Sequence, residues 1–298
     1  MGKRDEFRGI NTALMTAFHE DGSFNEEGQR ALVRYQIDHN GVDGLFAAGT
    51  IGERYRMPKE MLKELFRVCM DESGHKVRMY ANISALSEEE TLELAECAYE
   101  LGYDAVGLIP PFFYPYTNDE IVRYYLDIAD KCKLPVLVYL IPPFTGVHMN
   151  VDMFKQMFAH ENIIGVKFTW NDFYLLDRIR VECPDAVIYT GFDQYLRFAL
   201  SIGTDGAIGG TYNITGRFAK KIFEACEKKD YDEALKWQRK INDVEDILVP
   251  AGEFATLKTS LEALGIPVGN VRGPASPSTP AQIEAGKKVA EYLRANDG

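Results

Sequence analysis

The chain lacks the features that mark membrane-spanning, secreted or nucleic-acid-binding proteins. Over its 298 residues, no apolar run approaches the roughly 18 to 20 residues that a membrane span needs. No apolar stretch follows the basic pair near the N-terminus, so we expect no secretory signal peptide. Positive charge is scarce, with 33 Lys and Arg against 45 Asp and Glu and a formal net charge of −12. Since phosphate contacts need a basic surface, we expect neither nucleic acid nor a membrane as a partner.

Cysteine and histidine are also sparse, with 5 of each. The cysteines are odd in number and far apart, and no Cys-x-x-Cys pair occurs, so the sequence predicts neither a disulfide framework nor a zinc knuckle. The histidines form no His-x-His or His-Glu-x-x-His pair, which argues against a metal-dependent enzyme. We therefore expect no metal site and a location in the reducing cytoplasm.

The glycine-rich turns that bind nucleotides are missing as well. An open, doubly wound sheet would carry a Gly-x-Gly-x-x-Gly turn after its first strand, whereas this chain has His19-Glu-Asp-Gly-Ser there. The sequence also contains no P-loop. These two absences argue against a nucleotide-binding fold.

What the chain does contain is a regular alternation of short apolar runs with longer amphipathic stretches. Eight runs have the composition of buried parallel strands: 10–18, 42–48, 77–83, 105–110, 135–141, 163–169, 186–192 and 206–210. Helix-start signals such as Pro58-Lys-Glu and Ser87-Glu-Glu-Glu stand between them. This order predicts an α/β fold, a (β/α)8 TIM barrel over residues 1–225. Amphipathic stretches at 231–247, 252–264 and 280–294 predict a helical extension over residues 226–298.

One lysine stands out at the end of a predicted strand, where reactive side chains of such barrels are found. The sixth run, Ile-Ile-Gly-Val-Lys-Phe-Thr, places Lys167 within an apolar strand. Burial disfavours the charged ammonium form, and an uncharged amine can attack a carbonyl to form a Schiff base. A structural lysine that pairs with a carboxylate or reaches solvent is the alternative.

Two further strand ends carry groups that fit the same reaction. Tyr139 stands near the end of the fifth strand, where its phenol would relay protons to a substrate or simply pack in the core. After the second strand, Gly49-Thr-Ile-Gly offers backbone N–H groups and the Thr50 hydroxyl to a carboxylate, although it would also serve as a plain tight turn. Because these interpretations describe one reaction, together they favour a catalytic site.

The residues near the ends of the seventh and eighth strands can each be interpreted in two ways. Asp193 would either bind substrate hydroxyls or cap the following helix. The glycines of 206–210 would either cradle a phosphate or leave room for a substrate or the backbone to approach closely. A phosphate-handling barrel enzyme is therefore a rival hypothesis.

Four motifs resemble, in order, those of the N-acetylneuraminate lyase and dihydrodipicolinate synthase superfamily: Gly49-Thr-Ile-Gly-Glu, Val138-Tyr-Leu-Ile-Pro, Gly165-Val-Lys-Phe-Thr and Gly206-Ala-Ile-Gly-Gly-Thr-Tyr-Asn. The resemblance covers nearly the whole chain. It implies a (β/α)8 barrel, usually a tetramer, that condenses pyruvate with an aldehyde or cleaves the adduct without a cofactor. By this resemblance Lys167 is the Schiff-base lysine and Tyr139 the proton-shuttling tyrosine, while Thr50 and the amide of Ile51 hold the pyruvate carboxylate.

Within the superfamily the chain resembles the lyase branch more closely. Synthases carry an arginine after the fifth strand that binds the second substrate's carboxylate, and Phe144 stands there in this chain. Lyases typically have Gly-Tyr-Asp-Glu after the seventh strand, where this chain has Gly191-Phe-Asp-Gln. The resemblance implies substrate contacts at Thr169, Gly191, Asp193, Gln194, Gly209 and Gly210.

Departures from the family pattern concentrate around the predicted site. Ile51 replaces a hydroxyl residue of the turn, and Phe113, next to Tyr114, stands where a tyrosine normally completes a proton relay across a subunit interface. Three more substitutions remove polar groups: Leu140 for asparagine, Gln194 for glutamate and Gly210 for serine.

The combined prediction is a class I aldolase, a carbon–carbon lyase that forms a Schiff base. It would reversibly cleave a 4-hydroxy-2-oxo acid, either sialic acid or a related sugar acid, to pyruvate and an aldehyde. We expect a homodimer or homotetramer. The alternatives are condensation of pyruvate with an aldehyde, as in the synthases, and a pyruvate-binding barrel with little or no turnover.

Overall fold

The computed structural model describes residues 2–296 of the chain. Its strands are β1 (Gly9–Ala13), β2 (Gly44–Ala47), β3 (Arg78–Asn82), β4 (Ala105–Leu108), β5 (Val136–Leu140), β6 (Ile163–Phe168), β7 (Val187–Thr190) and β8 (Gly206–Gly209). They lie in sequence order in a closed parallel barrel, in which β8 pairs back with β1. The predicted (β/α)8 barrel is confirmed, and each predicted run overlaps one strand.

Helices surround the barrel and continue beyond it. They are α1 (Lys3–Phe7), α2 (Glu26–Arg34), α3 (Lys59–Ser73), α4 (Glu88–Glu100), α5 (Asn118–Lys131), α6 (Pro142–Thr145), α7 (Val151–Phe158), α8 (Phe173–Glu182), α9 (Leu196–Ile202), α10 (Tyr212–Glu227), α11 (Tyr231–Ala251), α12 (Glu253–Ala263) and α13 (Pro280–Ala295). A π-helical segment over Tyr35–Asn40 continues α2, and 3-10 turns cover Arg54–Arg56 and Asp193–Tyr195. Among the helices of residues 2–296, none is long and apolar enough to cross a membrane.

Local sequence signals explain where these elements begin. All residues of β5 and β6 are buried, as expected for parallel strands covered on both faces. Before α5, the Thr117 hydroxyl accepts a hydrogen bond from the Glu120 amide and the Glu120 carboxylate accepts one from the Thr117 amide. This reciprocal cap fixes the start of the helix, because it satisfies two backbone donors that the helix itself leaves free.

The first strand is shorter than predicted. β1 ends at Ala13, whereas the apolar run continues to residue 18. The Leu14 amide still donates to the Phe46 carbonyl of β2, and beyond it the chain leaves the barrel but stays buried. The Met15 amide donates to the Asn213 side chain, and the Phe18 amide donates to the Val268 carbonyl. Contacts with later parts of the chain therefore accompany the burial of residues 15–18.

The three predicted C-terminal helices are confirmed as α11, α12 and α13. Two of them reach the barrel: the Gln238 side chain of α11 donates to the Asp193 carbonyl at 2.9 Å, and Lys258 of α12 donates to the Thr16 carbonyl at 2.7 Å. The division of the chain at residue 225 stays a prediction, and α10 ends at Glu227. The extension therefore contacts the same end of the barrel as the strand-end residues.

Candidate active site

Lys167 and Tyr139 are neighbours across the β5–β6 pair. They are partners in the strand register, and their exposed fractions are only 3% and 2%. The Lys167 Nζ lies 4.0 Å from the centre of the Tyr139 ring and 4.7 Å from that of Phe46. Lys167 forms no ion pair with a carboxylate of residues 2–296. The structure therefore does not support an ion-paired or solvent-reaching Lys167, and its role as a reactive amine stays a prediction.

The Tyr139 hydroxyl is held by the turn that follows β2. It lies 3.1 Å from the Thr50 hydroxyl, within hydrogen-bond distance. The turn begins with Ala48 at a φ of 55°, a left-handed conformation that is unfavourable for alanine. The side-chain Nδ2 of Asn82 in β3 donates to the Ala48 carbonyl at 2.9 Å and so helps to hold this conformation. Strain maintained by neighbouring groups is typical of a functional turn.

Most of the residues predicted from the sequence line one cavity of about 150 Å³ at the C-terminal mouth of the barrel. They are Thr50, Ile51, Tyr139, Lys167, Thr169, Gly191, Asp193, Gln194 and Gly210. Gly209 is fully buried at the end of β8 and does not line this cavity.

Two glycines make room for side chains of the site. A Cβ at Gly191 would lie 1.9 Å from the Thr169 hydroxyl, and a Cβ at Gly209 would lie 1.9 Å from Asp193 Oδ1. Any larger residue would displace these groups. For the glycines of β8, the structure therefore supports the interpretation that another group approaches the backbone closely. The group next to Gly209 is the Asp193 carboxylate, which would repel a phosphate.

Asp193 holds the entry to α10. Its Oδ2 accepts hydrogen bonds from the amide and the hydroxyl of Thr211, at 2.7 and 2.6 Å. Burial raises the pKa of Asp193 to about 6, although the Thr211 bonds and the positive charge of Lys167 act in the opposite direction. The predicted cap of the helix that follows Asp193 is wrong, because α9 has no side-chain cap. Asp193 instead binds Thr211, the residue that precedes α10.

The aromatic loop after β4 lies outside the cavity. Phe113 and Tyr114 are 72% and 65% exposed, and their rings contact each other at 5.0 Å between centres. Phe113 lines a second cavity of about 460 Å³, which shares Thr50 and Phe144 with the first. Tyr114 does not line either cavity. A relay or interface role for these two residues stays a prediction.

Sequence reasoning missed two acidic residues of the site, Glu245 of α11 and Glu253 at the start of α12. Both line the cavity with Lys167. Burial, reinforced by the negative charges of Asp193 and Glu253, raises the pKa of Glu245 to about 8. Burial and the charge of Asp193 raise the pKa of Glu253 to about 6.

A signal for Glu245 was present in the sequence. It stands at helical spacing with the buried Gln238, Ile241 and Leu248, so a charged residue interrupts the inward face of α11. Nothing comparable marks Glu253, because the first turn of a helix is a normal place for glutamate.

A second buried lysine, Lys258, has a structural role. Its side chain is fully buried, and its Nζ donates to the carbonyls of Thr16 and Asn270 at 2.7 and 2.8 Å. It also lies 3.2 Å from Glu53 Oε1, in the turn that carries Thr50. Burial lowers the pKa of Lys258 to about 8, but Lys258 does not line the cavity of Lys167. It therefore supports the turn rather than reaching a substrate.

A buried lysine and tyrosine at the C-terminal mouth of a (β/α)8 barrel are the features of a class I aldolase. The model of the Dihydrodipicolinate synthetase family matches residues 6–295. The chain belongs to this family.

The chain is similar to N-acetylneuraminate lyases along nearly its whole length. It is 40% identical over 289 residues to the N-acetylneuraminate lyase of Fusobacterium nucleatum, which covers 97% of this chain and 100% of the relative. The solved structure of CdNal from Clostridium difficile in complex with mannosamine has a TM-score of 0.94 at 36% identity, over 96% of this chain and 99% of that one. The Fusobacterium nucleatum lyase complexed with pyruvate has a TM-score of 0.91 at 39% identity, over 96% and 97% of the two chains. The predicted class, a carbon–carbon lyase of the pyruvate-dependent aldolase type, is confirmed.

Proposed function

We propose that this chain reversibly cleaves a 4-hydroxy-2-oxo acid of the sialic acid class to pyruvate and an aldehyde, through a Schiff base on Lys167. The observation that carries the proposal is the buried amine beside a phenol that is hydrogen-bonded to Thr50. The names of the relatives support it, since they are N-acetylneuraminate lyases and one was solved with pyruvate.

In the first stage the substrate becomes bound covalently. The Lys167 amine attacks the C2 carbonyl, and loss of one water molecule leaves an iminium ion that can accept an electron pair. The hydroxyl of Thr50 and the backbone N–H groups of its turn would hold the substrate carboxylate. The Tyr139 hydroxyl, 3.1 Å from Thr50, would supply and remove the protons of this stage.

In the second stage the carbon–carbon bond breaks. Tyr139 has given its proton to the hydroxide that left as water in the first stage, so its phenolate oxygen can take the proton of the C4 hydroxyl. The C3–C4 bond then breaks, and its electron pair moves to the iminium to give an enamine. The C4 carbon leaves as an aldehyde. Protonation of C3 and addition of water then release pyruvate and return the lysine to its free form.

Ile51 reduces the number of hydrogen-bond donors that the turn offers to the substrate carboxylate. It lines the cavity but offers only its backbone amide, because its side chain is apolar. One fewer hydroxyl in the turn would weaken pyruvate binding without removing the amine or the phenol. Phe113 likewise lacks the hydroxyl of the relay tyrosine expected there, and the loss of both hydroxyls would slow turnover. This reduced turnover, rather than the strength of binding, favours the second candidate function, a pyruvate-binding barrel with little turnover.

We also propose an oligomeric state and a cellular location for the enzyme. A homodimer or homotetramer is supported by the adjacent exposed rings of Phe113 and Tyr114, which would become buried at an interface. A reducing, cytoplasmic location is supported by the odd number of widely spaced cysteines.

A cleavage screen tests the proposal. The enzyme would be incubated with N-acetylneuraminate, with 2-keto-3-deoxy sugar acids, and with pyruvate plus aspartate semialdehyde, and lactate dehydrogenase would report the pyruvate. We expect pyruvate release from at least one sugar acid. Consumption of pyruvate only with aspartate semialdehyde would identify a synthase, and pyruvate binding without any turnover would identify the binding barrel.

A further inference from the structure

The far wall of the catalytic cavity is formed by the C-terminal extension and is acidic. Glu245 comes from α11 and Glu253 from the first residue of α12, and both line the cavity that holds Lys167. A Cβ at Gly210 would lie 3.8 Å from Glu253 Oε1 and 3.6 Å from Ile51 Cγ1. The absence of a side chain at Gly210 thus leaves the space between Ile51 and Glu253 open.

Three residues that line this cavity each have a buried side-chain oxygen without a hydrogen-bond partner in residues 2–296: Asp193 (Oδ1), Glu245 (Oε2) and Thr169 (Oγ1). Glu245 is 4% exposed, and its Oε2 has no hydrogen-bond partner within residues 2–296. Thr169 is 9% exposed, and its hydroxyl is likewise unpartnered in the described part of the chain. A buried acceptor without a donor costs free energy, so an unpartnered carboxylate oxygen that lines a cavity indicates a missing donor.

The charged residues that line the cavity indicate that the missing donor is positively charged. Asp193, Glu245 and Glu253 line it, and within residues 2–296 the only lysine or arginine that does so is Lys167. The substrate carboxylate would add one more negative charge at the Thr50 end. Burial is the main cause of the raised pKa values of Glu245 and Glu253, and the negative charge of Asp193 raises both further. A positive group between them would relieve the repulsion.

A metal ion does not fit this place. No group of three or more Asp, Glu, His or Cys side chains in the described residues is arranged to hold one. The same cavity is lined by the apolar side chains of Phe254 and Ile51, which can pack against the carbon skeleton of an organic molecule. An ammonium group on the substrate itself matches both the charge and these surroundings.

We propose that Glu245 and Glu253 bind a primary ammonium group on the aldehyde half of the substrate. The preferred substrate is then a sugar acid with a free amine, rather than its hydroxyl or N-acetyl counterpart. This inference rests on the proposed function, since it assigns the substrate class of the same site. Glu245 and Glu253 act here as specificity-determining residues and take no part in the bond-breaking step.

The experiment compares three acceptors that differ at one carbon. The enzyme would condense pyruvate with D-mannosamine, D-mannose and N-acetyl-D-mannosamine, and kcat/KM would be obtained from pyruvate consumed. Hydrogen bonds to charged groups contribute about 1.5 to 3 kcal/mol, so we expect the amine to be preferred over the hydroxyl by about tenfold or more. A ratio near one, or preference for the N-acetyl sugar, would overturn the inference.

Variants of Glu245 and Glu253 test whether these two residues cause the preference for the amine. Glu245→Gln and Glu253→Gln keep the shape of the side chain but cannot ionise to pair with an ammonium group, and each should lower the mannosamine-to-mannose ratio by about fivefold or more. Asp246→Asn is the control, because Asp246 is an exposed neighbour on the same helix; it should leave the ratio as it is. Unchanged ratios in both glutamine variants would refute the assignment.

Borohydride trapping of pyruvate separates this inference from the proposed function. If the wild-type enzyme traps pyruvate and shows no amine preference, only the inference fails. If it traps no pyruvate, the proposed function fails.

Discussion

The Nζ of Lys167 lies 4.0 Å from the centre of the Tyr139 ring, and the Tyr139 hydroxyl lies 3.1 Å from that of Thr50. The amine, the phenol and the turn after β2 are thus arranged as one connected group. Their connection rests on the parallel register that pairs Tyr139 with Lys167.

Removal of the Tyr139 hydroxyl should impair proton transfer and leave the amine in place. In Tyr139→Phe the ring that packs against Lys167 is kept. We expect kcat for cleavage to fall by about 10²-fold to 10⁴-fold, the usual contribution of a positioned acid–base group. Steady-state kinetics would measure the fall, and borohydride trapping would show that Lys167 can still react. An unchanged kcat would show that another group moves the proton.

The Thr50 hydroxyl should act by orienting the phenol. Thr50→Val keeps the size and removes the partner of Tyr139, so we expect kcat to fall by about tenfold. Thr50→Ser keeps the hydroxyl and should restore most of the activity. Equal losses in both variants would point to packing of the turn rather than to the hydrogen bond.

A hydroxyl at position 51 should tighten pyruvate binding. Ile51→Thr adds a donor to the side of the cavity where the carboxylate is expected. Since a hydrogen bond to a charged group contributes about 1.5 to 3 kcal/mol, we expect KM for pyruvate to fall by about tenfold or more, with kcat nearly unchanged. A KM that does not fall would mean that the carboxylate binds elsewhere.

Stability should decrease as the pH rises, because the buried carboxylates of the cavity favour their protonated forms. The folded-state pKa is about 6 for Asp193 and Glu253 and about 8 for Glu245, all above their ordinary values. The native state therefore binds protons more tightly than the unfolded chain. The stabilisation is complete below about pH 4 and is lost as the pH rises through each raised value.

The Glu245→Gln variant tests this dependence. It removes the group with the highest of these pKa values, so its free energy of unfolding should fall less steeply between about pH 5 and pH 9. The difference should be a few kcal/mol, at about 1.4 kcal/mol per pKa unit. Urea melts across this range would measure it, with Asp246→Asn as the control. Identical slopes for Glu245→Gln and the wild type would contradict the assignment.

The barrel and the pairing of Lys167 with Tyr139 were predictable because both leave local signals in the sequence, and the reactive role of the pair stays a prediction. A buried parallel strand reads as a continuous apolar run, and a lysine within such a run is conspicuous. The acidic wall was missed for a different reason: Glu245 and Glu253 come from helices beyond the barrel. Only tertiary packing brings them to Lys167, and the interrupted inward face of α11 was the one local sign of it.

The length of β1 was predicted wrongly for a related reason. Residues 15–18 are buried with contacts to Asn213 and Val268, and apolar character alone does not distinguish such burial from pairing within the barrel.

Peptide mapping after borohydride reduction in the presence of pyruvate tests the central claim most directly. Residues 2–296 contain two buried lysines, Lys167 beside Tyr139 and Lys258 held by the Thr16 and Asn270 carbonyls. We predict one pyruvate-derived adduct, on the peptide that contains Lys167, and its absence in Lys167→Arg. An adduct on Lys258, or no adduct on either lysine, would contradict the account.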